Sequence, residues 1–119
     1  MEGERDLSRL LGALDPKLHP GRYRFSVAHE PVLKEGQFAL IREDEELTLV
    51  QPDPNGEWAR VSLGAQSSLE AVGLTAVLSA RLAEAGISAN IIAGMRHDHL
   101  FVPWDRRDEA LALLAGHPA

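Results

Sequence analysis

Three short stretches hold the residue types that could do chemistry. The first is His97-Asp98-His99, two imidazoles around a carboxylate. Residues two apart on a strand share a face, and neutral imidazole suits zinc or copper. A zinc site needs about three protein ligands even when catalytic, and only the distant His29 and Asp105 are on hand to add one. No metal and no cofactor are therefore expected. Asp98 reads instead as the cap of a hairpin turn, with the two histidines bonding backbone or shielding a sheet edge. The same pair acting as general acid and base is the single enzymatic reading that the chain offers. There is no Ser-His-acid order with a nucleophile elbow, no Gly-x-x-x-x-Gly-Lys loop and no Gly-x-Gly-x-x-Gly after a strand. With those signatures missing, no catalytic residue is expected.

The second stretch is Gly64-Ala65-Gln66-Ser67-Ser68-Leu69-Glu70. Ser67 and Glu70 have the spacing of a capping box, in which each side chain satisfies an otherwise unpaired N–H at a helix start. A helix amino terminus also exposes N–H groups and a partial positive charge, which suits a carboxylate. Gly64 lets the backbone approach closely, and Gln66, Ser67 and Ser68 can donate or accept. Capping and ligand binding are compatible, because different N–H groups can serve each. The third stretch is Asn90-Ile91-Ile92, whose main-chain carbonyls or Asn90 amide could accept from an ammonium, as could Asp98. Trp58 and Trp104 read either as a binding wall or as core or interface packing. Glu43 to Glu46 reads as a solvated hairpin tip that also blocks edge-to-edge aggregation.

Charge and composition narrow the partners. Of the 119 residues, 45% are hydrophobic and 25% charged, and the formal net charge is −6. That sign repels nucleic acid and anionic lipid. Cysteine is absent, so thiol chemistry and disulfides are excluded. The amino terminus lacks a basic region followed by an apolar run, and no stretch nears the length of a membrane span. A cytoplasmic location, with neither nucleic acid nor membrane as partner, is the expectation.

The elements that must position these residues follow from periodicity. Leu7, Leu10, Leu11 and Leu14 make a helical stripe, stopped at Asp15-Pro16. The chain from Leu18 to Arg22 reads as loop. Tyr23 to Ala28 is a strand with Tyr23, Phe25 and Val27 on one face. Residues 38 to 63 read as an antiparallel meander, with Pro52 to Gly56 as its last turn. A helix follows to about Ala85 and stops at Gly86. Ile87 to Met95 reads as a strand, Leu100 to Val102 as another, and Asp105 as the cap of a last helix. Residues 58 to 115 thus spell strand, helix, strand, strand, helix, a ferredoxin-like unit that lacks its final strand. Either Tyr23 to Ala28 or the 38–51 hairpin would fill the gap.

This order resembles the ACT domain family. The runs Trp58-Ala-Arg-Val-Ser-Leu, Ser68-Leu-Glu-Ala-Val-Gly-Leu-Thr-Ala, Ala85-Gly-Ile-Ser-Ala-Asn and Gly94-Met-Arg-His-Asp-His-Leu-Phe-Val-Pro-Trp resemble a group of small bacterial ACT-type proteins. The resemblance implies an α+β, ferredoxin-like sandwich: an antiparallel sheet with helices on one face, in tandem ACT-like halves. Residues 1–54 would be a rudimentary half, and 55–119 an ACT domain whose last strand comes from elsewhere. It also implies a side-by-side homodimer and a regulatory, non-catalytic role in binding a small molecule, most plausibly an amino acid or other small carboxylate. Carried over by position, the ligand site comprises Gly64, Gln66, Ser67, Ser68 and Leu69 with Asn90, Ile91 and Ile92. A ligand-free structural or protein-interaction domain is the alternative, since ACT-like folds also serve as assembly surfaces. The chain differs from the better-known pattern in having Leu63-Gly64-Ala65-Gln66-Ser67-Ser68 where an Asp-x-Pro-Gly style turn would stand.

Overall fold

A computed structural model describes residues 14–64 and 68–116. Strands β1 (Lys17–Leu18), β2 (Tyr23–Ala28), β3 (Ala39–Arg42), β4 (Leu47–Pro52) and β5 (Trp58–Ser62) precede helix α1 (Ser68–Glu84). Strands β6 (Asn90–Ala93) and β7 (Asp98–Pro103), a 3-10 turn (Trp104–Arg106) and helix α2 (Arg107–Leu114) follow. The expected first helix lies outside the described residues except for Leu14, which is buried. None of the described helices is long and apolar enough to cross a membrane.

All the strands join one antiparallel sheet in the order β3-β4-β2-β5-β7-β6, with β1 also on β5. The vacant flank of β5 is filled from the front of the chain. Lys17 and Leu18 pair with Ser62 and Val61, and Tyr23 pairs with Trp58. The borrowed backbone therefore comes from Lys17 and Leu18, where no strand is read from the sequence, and Tyr23–Ala28 pairs with β5 only at its first residue. The meander is corrected too. Asp53 to Gly56 does turn, through the Gly56 N–H bond to Asp53 O, but β2 lies between β4 and β5. The Gly56 backbone packs directly on Tyr23; a Cβ there would meet the Tyr23 carbonyl oxygen at 2.2 Å.

Alternation along the strands makes two different faces. Ala59, Val61 and Leu63 join Leu100 and Val102 on the face that α1 and α2 cover, with Leu78, Leu82, Leu113 and Leu114. On the other face Tyr23, Val50 and Phe101 are buried beneath Phe25, Phe38, Trp58 and Ile92. Edge-to-face ring pairs hold this second core, with Phe101 at 5.6 Å from Tyr23, 5.2 Å from Phe25 and 5.5 Å from Phe38.

Helix α1 ends as its sequence requires. Gly86 takes φ +73°, where a side chain would be strained. Gly86 N–H bonds to Ala83 O and Ile87 N–H to Leu82 O, the paired bonds of a Schellman cap. Ile87 thus belongs to the helix cap and the apolar core, which is why β6 begins only at Asn90 and not at Ile87. Asp105 does not cap the last helix. It lies within the 3-10 turn, and no side chain caps either that turn or α2.

Candidate functional site

The residues singled out from sequence fall on two sides of the sheet. Ile92, His99, Ser62 and Lys17 pair in succession across β6, β7, β5 and β1, so they form one row on the second face. Asn90, Phe101 and Arg60 form the next row. Ile91 pairs with Leu100 and so belongs to the helix-covered side. Gly64 lies two residues beyond the end of β5. Its N–H donates to Leu14 O, and a Cβ would lie 2.9 Å from that oxygen, so the close approach it permits is to the front of the chain. Ser68 and Leu69 open α1. Gln66 and Ser67, with the expected cap on Glu70, lie outside the described residues or side chains.

The end of β5 is tied to the β6–β7 turn. Leu63 N–H bonds to Asp98 O, and His97 Nδ1–H donates to Leu63 O at 3.0 Å. The loop that leads into α1 and the carboxy end of β6 therefore lie at one end of the sheet. Beyond β6 no further strand pairs among the described residues, so its outer backbone groups are open.

A polar cluster that sequence reading missed stands beside this junction. Arg60 Nη2 lies 2.9 Å from His19 Nδ1. Arginine only donates, so Nδ1 accepts and His19 is the neutral tautomer with its proton on Nε2. That proton donates to Ser62 Oγ at 2.8 Å. The Arg60 guanidinium stacks over Phe38 at 4.5 Å and Tyr23 at 5.2 Å. Burial, then Arg60, then Lys17 hold His19 below the ordinary imidazole range. Burial also lowers His99, helped by Arg60, His97 and His19 and opposed by Asp98. A signal was available: β5 reads Trp58, Arg60, Ser62 on one side and Ala59, Val61 on the other, and an arginine between a tryptophan and a paired strand is seldom idle surface.

His97 and His99 have ring centroids 6.5 Å apart, and the described residues contain no group of three His, Asp or Glu placed to hold a metal. Trp58 packs edge-to-face on Phe25 at 5.9 Å. The Arg22 and Arg107 guanidiniums both stack on Trp104, at 4.6 and 3.8 Å from its ring. A cavity of about 240 Å³ opens between β2 and the 55–58 segment, walled by Phe25 and Trp58. Two further cavities, of about 330 and 460 Å³, flank the 29–37 loop and the acidic hairpin tip. None of these three is lined by Gly64 or by Asn90, Ile91 or Ile92.

Comparison with known proteins agrees with this architecture. One family model of the ACT domain matches residues 55–116 and another matches residues 2–63. The two matches overlap on the segment that contains β5. No curated protein matches the chain. Among solved structures, the chain is similar to a protein of unknown function from Vibrio cholerae, described as a possible transport protein. The two share 38% identity with a TM-score of 0.76, over 100% of this chain and 99% of that one. A protein from Agrobacterium tumefaciens is 23% identical with a TM-score of 0.65, over 86% and 88% of the two chains. The ligand-free regulatory subunit of aspartate kinase from Thermus thermophilus is 11% identical with a TM-score of 0.61, over 87% and 96%.

Proposed function

The chain belongs to the ACT domain family, whose domains are regulatory modules that bind small molecules, and from that premise we propose a non-catalytic, cytoplasmic regulator that binds an amino acid or similar small carboxylate and works as a homodimer. The observation that carries this reading is the meeting of two features at one end of the sheet. Leu63, five residues before Ser68, and the β6–β7 turn are hydrogen-bonded to each other, which supports a site shared by the start of α1 and the edge strand β6. In this reading the first turn of α1, from Ser68 and Leu69, receives the carboxylate on its unpaired N–H groups. Gly64, Gln66 and Ser67 supply the loop. The Ile91 carbonyl on the open flank and the Asn90 side-chain amide accept from the ammonium, while the main chain of Asn90 and Ile92 faces β7. A second copy laid along that flank closes the site, so ligand and dimer are linked.

Thermal unfolding against the twenty amino acids and simple organic acids tests the reading. A ligand at about a hundred times its Kd adds roughly 2.7 kcal/mol, a shift of several degrees for a domain of this size. The Ser68→Asp variant should lose that shift, because it sets a like charge against the ligand carboxylate. If no compound shifts the wild type while the chain still pairs through β6, the ligand-free interaction reading takes its place.

A further inference from the structure

We propose that the second face of the carboxy-terminal half binds a compact oxyanion, a carboxylate or phosphate group, on Arg60, His19, Ser62 and His99. The proposal does not depend on the reading above, which uses the α1 start and the β6 flank. Its first ground is charge without counter-charge. The chain carries a net −6, yet Arg60, His19, His99, His97 and Lys17 gather here. The carboxylates nearby are Asp15, paired with Lys17 at 3.8 Å, and Asp98, next to His99. No ion pair among the described residues includes Arg60.

Its second ground is unmet polar atoms. Arg60 Nε, a donor, and His99 Nδ1, a donor in one neutral tautomer and in the protonated ring, are both buried without a hydrogen-bond partner. Buried polar groups are nearly always paired, and an unpaired donor on a charged group is costly. The two lie on adjacent strands of one face, since Arg60 pairs with Phe101 and Ser62 with His99. Phe38 covers both: it lies 4.5 Å from the guanidinium and 5.0 Å from the His99 ring. Partial exclusion of water strengthens an ion pair formed there.

The hydrogen bonds also couple such an anion to protons. While His19 is neutral, its Nδ1 occupies one Arg60 donor. A proton on Nδ1 ends that bond and frees Arg60 Nη2 for an oxyanion. The groups facing His19 and His99 are Arg60 and Ser62 on β5, Lys17 on β1, His97 in the turn, Asp98 on β7 and the ring of Phe38. Of these only Asp98 favours a charged imidazole. A bound oxyanion adds a second, so binding takes up protons and strengthens in acid.

Histidine NMR on the full chain tests this, with potassium sulfate standing for a phosphate group and potassium acetate for a carboxylate. Potassium chloride at equal ionic strength is the control, at about pH 5.5 and about pH 7.5, on either side of the ordinary imidazole value. Saturable shifts of His19 and His99 are expected, tighter at the lower pH by up to about tenfold per pH unit for each proton bound. His29, at the far end of β2, should not follow. The sulfate and acetate arms tell which oxyanion is preferred. Arg60→Met should weaken binding about tenfold to a hundredfold. Ser62→Ala, which keeps the aromatic stack, should weaken it less and serves if Arg60→Met does not fold. Shifts no larger than with chloride, or an unchanged response in a folded Arg60→Met or Ser62→Ala variant, would overturn the proposal.

Discussion

Strands β5 and β7 are read twice by the fold, once from each side. Toward α1 and α2 they present Ala59, Val61, Leu63, Leu100 and Val102, a uniformly aliphatic surface. Toward the other side they present Trp58, Arg60, Ser62, His99 and Phe101. The aliphatic side is generic packing, which many residues of similar volume could supply. The opposite side mixes rings with a half-buried guanidinium and two imidazoles, and each polar atom there needs a particular partner. Packing that tolerates substitution lies back to back with an arrangement that does not.

The comparison breaks most visibly at neighbouring residues. Leu100 is 1% exposed toward the helices, and Phe101 is 0% exposed on the other side. Phe101→Ala should cost about 3–5 kcal/mol and Leu100→Ala about 2–5 kcal/mol, read from denaturant midpoints at constant slope. Near-equal losses mean that both sides are true cores. A Phe101→Ala loss under about 1 kcal/mol would reduce the second side to surface decoration.

Acid sharpens the same contrast, because only one side titrates. His19 and His99 have folded pKa values below the ordinary 6.5. The unfolded chain therefore binds more protons between the folded value and 6.5. Their contribution is complete above 6.5 and is lost as pH falls through the folded values. In chloride buffers the thermal midpoint should fall as pH is lowered through that window. His19→Asn or His99→Gln should flatten the dependence, whereas Val61→Ala should lower the midpoint without changing its slope against pH. A profile unaltered in both histidine variants would show that neither imidazole is held neutral by the fold.

Much of the carboxy-terminal order was legible because its signals are local. The stop of α1 needs only Gly86 and the apolar Ile87 behind it, and the faces of β5 need only alternation. Pairing partners are not local. Lys17–Leu18 is too short to show any alternation, so nothing in residues 17–18 announces a strand. Strong turn residues at Pro52 to Gly56 say that the chain turns, but not that another strand enters the opening. The Arg60–His19 bond spans a sequence separation of 41 and depends on that unannounced pairing. His97 and His99 were visible as a pair, yet their partners emerged only with the sheet. The loop residues Gln66 and Ser67 lie outside the described residues.

The smallest expected effect on stability separates the two sides at the sheet edge. Ile91 lies on the helix-covered side but is 40% exposed, whereas Ile92, next to it, packs into the aromatic cluster. Ile91→Glu should change stability by no more than about 0.5 kcal/mol, as exposed substitutions do. If two copies meet along β6, however, this substitution adds charge of the same sign to both edges, in a chain already at −6. Like charges across paired strands oppose association. Light scattering should therefore show the wild type as a dimer and Ile91→Glu as a monomer of unchanged fold. Persistence of the dimer in the variant would move the interface away from β6. A wild type that is monomeric at micromolar concentration would remove the second copy from the proposed ligand site altogether, leaving the oxyanion site on the second face to be judged by its own titration.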